Sequence, residues 1–307
     1  MQIVIPGALP DPGTARELTP YLEKTAPALV SRMMRNHASV QALNMADIAC
    51  TALESWLLQQ HRFAPKNNQT FSAGLGPLWA GDTENADEPV WLAELVHVSP
   101  SRDGAGLLTA RQLSITPEQS LALFEAAKGL FEAPGIELLP TSTERWRLRL
   151  PERLYPASAS PALVSATRVN DWWPQDTATR PLRRLINEVQ MTWHEHPVNL
   201  ERQARGLAAI NSLWVFGGAS PGQLGSPVAP FELRDELQEP FERQDWGAWL
   251  EGLGRINTRL STASSNPLVL LGEHRIVTLT PSRLHQRLAR LFSKRSLWRH
   301  WWSPQNS

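Results

Sequence analysis

Apolar positions along the chain change their period several times, and each change marks an element. Leu182, Leu185, Ile186, Val189 and Trp193 recur at the i, i+3, i+4, i+7 spacing of a helix buried along one stripe, while Arg183, Asn187 and Glu188 face elsewhere. Pro197 stops that helix, and because a residue before proline is pushed out of the helical region, His196 is expected at the helix end. Asn199 then caps a short second helix through Arg205, with Gly206 as its left-handed terminator. Residues 208–216 carry no charge and end at Gly217-Gly218, the pattern of a strand buried on both faces that enters a tight turn.

Upstream, residues 3–5 read as a short strand and residues 14–63 as helical, with Leu43, Ile48, Ala52, Trp56 and Leu57 on buried stripes. Residues 66–89 are polar, glycine-bearing and acidic at their end, which reads as a long exposed loop. Residues 90–150 form the cleanest unit. A strand at 90–98, a turn and a second strand near 107–113 precede a helix opened by the capping box Thr116-Pro117-Glu118-Gln119. A break at Gly135, a strand at 136–139 and the alternation of Trp146, Leu148 and Leu150 with Arg147 and Arg149 complete an antiparallel ββαββ pattern.

The proline-, serine- and alanine-rich residues 151–181 read as a connector that also carries candidate binding residues. Beyond Gly218 follow a loop (219–232), an amphipathic helix region (239–260) and a hairpin (267–280). Leu284, Leu288, Leu291 and Phe292 lie on one stripe of a final segment with six lysines and arginines and no acid from 283 to 302. The fold class expected is mixed α/β (α+β): a central sheet with flanking helices plus the antiparallel ββαββ-like subdomain. Three parts are expected, residues 1–80 helical, 90–155 α+β, and 165–307 holding the motif helix, the buried strand and the C-terminal part.

Composition narrows the functional classes. A chain of 307 residues with 42% hydrophobic and 20% charged content can bury two cores. Thirty basic and thirty acidic residues cancel, so there is no strong nucleic-acid signal and any binding to anionic surfaces rests on a local patch. The single cysteine, Cys50, rules out a disulfide within the chain and reads as a small buried hydrophobe. The opening apolar run is short and lacks a basic leader, and nowhere do eighteen apolar residues run together, so a cytoplasmic location without a transmembrane segment is expected. Thirteen tryptophans stand against two tyrosines, several in pairs (Trp172-Trp173, Trp246 with Trp249, Trp298 with Trp301-Trp302), a balance that suits cores and also pocket or partner surfaces.

Candidate chemistry is local. His194 and His196 are two apart, so on a helix they project about 200° from each other and cannot chelate one ion; a capping role suits His196 better. Gly218-Ala219-Ser220-Pro221-Gly222 matches G-x-S-x-G, but Pro221 supplies no N–H for an oxyanion hole, which leaves a solvent loop as the reading. Arg145, Arg147 and Arg149 on one strand, together with His196, Asn199, Arg202, Asn211, Gly217 and Gly218, form a candidate basic pocket for a small phosphorylated acid. Set against it is an architectural reading, in which Arg202 pairs with Glu188 or Glu195 and Asn199 caps a helix. The basic, tryptophan-bearing C-terminus admits a protein, membrane-surface or nucleic-acid partner, or packing on its own protein.

The string HPVN-x-x-R-x-x-x-G followed by N-S-L-W-x-x-G-G, carried by His196, Pro197, Val198, Asn199, Arg202, Gly206, Asn211, Ser212, Leu213, Trp214, Gly217 and Gly218, resembles the late-middle segment of bacterial metal-dependent, cofactor-independent phosphoglycerate mutases. It is still more similar to a set of uncharacterised bacterial proteins described as mutase-like or regulatory. The resemblance extends over roughly residues 90–218, with residues 114–131 similar to the helix of the domain inserted in those mutases. It implies a two-metal phosphoryl-transfer site of clustered aspartates and histidines, and descent from that architecture implies a parallel sheet framing residues 208–216. This sequence departs from the pattern: no Asp-Gly follows the opening strand, and after Gly218 only Asp235, Asp245, His274, His285 and His300 supply Asp or His. The expectation is therefore a catalytically degenerate, regulatory or scaffolding protein with no cofactor. The alternatives are an active Mn²⁺- or Mg²⁺-dependent mutase or phosphatase and a protein-interaction module.

Overall fold

A computed structural model describes residues 1–66, 69–81, 85–102, 104–132, 135–157, 159–262, 266–281 and 298–304. The fold is mixed α/β, two sheets with helices packed against them. The strands are β1 (Gln2–Leu9), β2 (His37–Ala42), β3 (Trp91–Ser101), β4 (Gly104–Leu108), β5 (Glu137–Pro140), β6 (Arg145–Arg149), β7 (Ser212–Gly217), β8 (Phe231–Leu233), β9 (Leu268–Gly272) and β10 (Arg275–Thr280). Contacts divide the chain into two compact units, Met1–Met45 with Pro227–Ser307, and Ala46–Ser226.

The first unit is built on the order β2-β10-β9-β1-β8. β1 runs parallel to both β8 and β9, which pair along its two edges, and its residues are almost all buried, as the continuous apolar run requires. The hairpin expected at 267–280 is β9 and β10. Ile5, Leu9, Leu22, Leu29, Trp249 and Leu270 sit in one core, and Trp298 and Trp302 join it. Two expectations are corrected here. Residues 37–42 are not helical: all six pair with β10, and that long-range ladder overrides the local pattern. The helical run around Cys50 is broken by Ala49 at φ 53° and restarts at Ala52–Gln60 behind a capping box between Thr51 and Glu54. The C-terminal stripe at 284–292 lies outside the described residues.

The second unit contains the antiparallel ββαββ pattern: β3 and β4, the helix Pro117–Glu132, then β5 and β6, in the sheet order β4-β3-β6-β5. Thr116 and Gln119 cap the helix as the sequence suggests. β7 adds to β3 and pairs antiparallel, so the parallel framing of residues 208–216 is not found, and the strand begins at Ser212 because the preceding backbone is held by side chains instead. One face of this sheet presents Trp91, Ala93, Leu95, Trp146, Leu148 and Leu213 to a core shared with the helix Arg180–His194, whose buried residues are Leu182, Leu185, Ile186, Val189 and Trp193. Trp146 packs edge-on to Phe124 and Trp193 at 5.2 and 5.8 Å and donates to Ser120.

Residues 71–79 are not an exposed loop. They form a 3-10 turn (Phe71–Gly74) and a short helix (Leu75–Trp79), largely buried, because Gly74 and Gly76 let their backbone approach Phe63 and Val90 closely. Among the described residues no helix is long and apolar enough to cross a membrane.

Candidate functional site

The polar residues of the HPVN and NSLW segments turn inward, toward backbone. His196 is the N-cap of the helix Pro197–Ala204, extended as a pre-proline residue must be, and its Nδ1 accepts from Val198 N–H at 3.3 Å. Because the helix already starts at Pro197, Asn199 cannot cap it. Fully buried, Asn199 donates through Nδ2 to the carbonyls of Trp193 and Ile210, both at 2.8 Å, and accepts the Ile210 N–H on Oδ1 at 2.8 Å. Asn211 acts similarly one residue before β7: its amide bonds both the N–H and the carbonyl of Val98 at 2.8 Å. Gly206 ends the segment at φ +70°, as expected.

Arg202 is 2% exposed and has no carboxylate partner among the described residues; the expected pairing with Glu188 or Glu195 is absent, and Glu188 pairs with Arg184. Its Nε donates to the Ala208 carbonyl, Nη1 to Gln119 Oε1 and Nη2 to the Leu113 carbonyl, at 2.8, 2.9 and 2.8 Å. Burial, and then the charge of Arg205, lowers its affinity for the proton, yet a guanidinium stays charged under any folding condition. It ties helix Pro117–Glu132, the Leu113 turn and the approach to β7 into one block.

The strand arginines lie elsewhere. Arg145, Arg147 and Arg149 project from the face of β6 opposite Trp146 and Leu148. Arg145 Nε meets Glu94 at 2.7 Å and its guanidinium lies 4.6 Å above the Trp79 ring. Arg149 pairs with Glu88 and Glu137, both at 2.8 Å. Arg147 approaches Glu88 at 3.5 Å, and its Nε and Nη2 are buried without a hydrogen bond. Asn211 precedes β7 and Gly217 ends it, a separation of about 20 Å along an extended strand. The candidate set therefore divides between the two ends of β7: His196, Asn199, Arg202 and Asn211 at one, Gly217 and Gly218 at the other beside Val90 and Trp91.

Packing accounts for the glycine pair. Gly217, at φ +102°, lies against the Gly76 and Val90 backbones, and a Cβ there would sit 2.6 Å from the Val90 carbonyl oxygen. Gly218 lies under the Trp91 indole, donates its N–H to Val90 and accepts from Gln69 on its carbonyl. Ser220 itself is 3% exposed, so the solvent-loop reading fails at that residue; with Gln223 it caps a 3-10 turn that begins at Pro221 and whose own residues are not buried.

Two buried acids went unread in the sequence. Glu94, 2% exposed, accepts from Arg145 and from Ala110 N–H; Glu54, 4% exposed, accepts on one oxygen from the Thr51 N–H, the Thr51 hydroxyl and the Ser160 hydroxyl. Burial pushes both carboxyl groups above the ordinary carboxylate range, and it raises the Cys50 thiol too. Among the described residues no three His, Cys, Asp or Glu side chains gather as a metal ion would need. A narrow cleft beside β7 is walled by tryptophans with Arg183 among its lining residues, and a more open one lies between the helix Pro117–Glu132 and β5, lined by Phe124, Lys128, Glu132, Ile136 and Leu138.

No protein-family model and no curated protein matches the chain. Among solved structures, a cofactor-independent phosphoglycerate mutase from Thermoplasma acidophilum is 13% identical, covering 91% of this chain and 88% of its own, with a TM-score of 0.33. The PH0037 protein from Pyrococcus horikoshii is 10% identical, covering 92% and 87%, with a TM-score of 0.43. Both are distant likenesses of fold.

Proposed function

We propose that this chain is a non-catalytic protein of regulatory or scaffolding character, and that the HPVN/NSLW segment is its internal clamp. The observation that carries this reading is Arg202: all three guanidinium nitrogens donate to oxygens of the chain itself, and the side chain is closed to solvent. A phosphate-binding arginine must offer donors to its ligand. Asn199 and Asn211 are bonded to backbone in the same manner, and Arg145 and Arg149 are paired with glutamates. These groups preorganise a fold and leave little for a phosphoryl group.

The test is turnover of 3-phosphoglycerate with Mn²⁺, alongside thermal stability of the wild type and Arg202→Ala without ligand. No turnover, with a large loss of stability in Arg202→Ala, is the expected result. Metal-dependent turnover, or a phosphoglycerate-induced stabilisation that Arg202→Ala removes while the fold survives, would overturn the proposal.

A further inference from the structure

β2 is one edge of the first unit's sheet, and it pairs with β10 and with no other strand among the described residues. The Leu43 N–H donates to the His274 carbonyl at 2.8 Å, which continues the β2–β10 register by one pair and fixes its phase. His37, Ser39 and Gln41 are therefore the residues that exchange hydrogen bonds with β10, and the N–H and C=O groups of Ala38, Val40 and Ala42 point away from the sheet. Such an edge templates pairing with another strand unless it is blunted. β8, at the far edge of the same sheet, is three residues long and sets Glu232 on Arg234; β5, an edge of the other sheet, carries Pro140 and a Glu137 paired with Arg149. β2 has six residues, none of them proline, acid, lysine or arginine, and all but Ala38 are exposed.

The strand matches a second copy of itself. Its outward groups are centred on Val40, so two antiparallel copies about a two-fold axis at that residue set Val40 against Val40 and Ala38 against Ala42, each pair exchanging both backbone hydrogen bonds. Ala38, Val40 and Ala42 share the face of Val277 and Leu279, which belong to the core of the unit. Ala38 packs on that core, whereas Val40 is left 50% exposed. In the pair the two Val40 side chains meet on that face and carry the apolar layer across the axis, while Ser39 faces Gln41 on the other face and no like charges oppose each other. A neutral edge gives an acidic or basic partner nothing to select, but a copy of itself complements it at every position.

We propose that β2 is a self-pairing edge, through which two chains associate by antiparallel β2–β2 pairing about Val40 and join their five-stranded sheets into one. The strand spans only about 20 Å. The contact therefore falls at the small end of specific interfaces, under about 1,200 Å² in total, and the dimer it makes is concentration-dependent rather than permanent. The proposal stands apart from the non-catalytic reading, which turnover of 3-phosphoglycerate would remove without touching this edge.

Sedimentation velocity of the full chain from about 1 to about 300 μM, the span over which so small an interface fills, tests it. The expected result for the wild type is a monomer–dimer equilibrium. Val40→Lys and Val40→Glu each place like charges against each other at the axis and weaken the dimer tenfold or more, and an equimolar mixture of the two restores it, because residue 40 meets its own copy in this pairing. Val40→Pro removes an outward N–H that the ladder with β10 does not use, so it weakens the dimer likewise while the chain still folds; if it does not fold, the charge variants, at an exposed position, carry the test. A wild type that stays monomeric throughout, a dimer equally strong in Val40→Lys and Val40→Glu, or a mixture no tighter than either variant alone would overturn the proposal, the first of these leaving the edge to a strand of another protein.

Discussion

Asn199 and Ile210 are joined as two strands are joined: the side-chain amide of one exchanges a donor and an acceptor with the backbone of the other, both at 2.8 Å. The site is fully buried, so neither backbone group of Ile210 has water as a substitute. Asn199→Ala should therefore cost about 2–4 kcal/mol, since it leaves Ile210 N–H, Ile210 C=O and the Trp193 carbonyl short of a partner. Urea unfolding measures it. A loss below about 1 kcal/mol would mean that the segment relaxes and that Asn199 is not the clamp described.

Arg202 gives a sharper comparison. Arg202→Met removes the charge along with its three hydrogen bonds, whereas Arg202→Lys keeps a charge that cannot reach the Ala208, Gln119 and Leu113 oxygens together. An incompletely bonded buried ammonium is worse than a thioether of similar length. The expected order of stability is wild type, then Met, then Lys, with the Lys variant at least 3 kcal/mol below wild type by the cost of an unpaired buried charge. If Lys proves better than Met, the position responds to charge, as a ligand site would.

The elements that could be read in the sequence are those written in a local period. The stripe from Leu182 to Trp193 and the alternation of Trp146 and Leu148 with Arg147 recur in the structure because each needs only its own segment to define a face. The partners of β1 could not be read, since Ile3 pairs with Glu232 and Leu268, and no local pattern encodes a register over that distance. Nor could β2, whose pairing comes from β10.

The site was legible as residues but not as directions. Asn199, Arg202 and Asn211 stand out as polar groups at fixed spacing, which suits a ligand and a backbone equally; the choice is made by unpaired peptide groups of Ile210, Ala208 and Val98 that only the fold brings near. Arg183 was visible as lying off the buried stripe, and the Trp172-Trp173 pair as suited to a core, a pocket or a partner surface. Their meeting across Trp214 depends on the path of the connector.

Gly217 and Gly206 separate conformation from contact. Both have positive φ, +102° and +70°, but a Cβ on Gly206 meets nothing within 4 Å while one on Gly217 would meet the Val90 oxygen at 2.6 Å and Gly76 Cα at 2.9 Å. Gly206→Ala should cost about 1–2 kcal/mol, the left-handed penalty alone. Gly217→Ala adds a backbone clash that no rotamer relieves, and about 3 kcal/mol or more is expected. Thermal unfolding ranks the two, and equal effects would contradict the close crossing of β7 and helix Leu75–Trp79.

Glu54 links burial to pH. Its carboxyl is pushed up chiefly by desolvation, against weaker opposing hydrogen bonds from Ser160 and Thr51, so the folded state holds its proton to higher pH than the unfolded chain does. A group raised in this way contributes its stability in full below the ordinary carboxylate value and loses it as pH rises through the raised folded value. Glu94 is shifted in the same direction, with Arg145 opposing. Glu54→Gln keeps an oxygen to accept from Thr51 and Ser160 but cannot ionise, so the stability of the variant relative to wild type should rise as pH climbs above the ordinary carboxylate value of about 4.3 toward the raised folded value. Melting temperatures of both proteins across that range decide it: a difference that stays flat would mean that Glu54 titrates alike in the folded and unfolded chain, and that its burial carries no electrostatic cost.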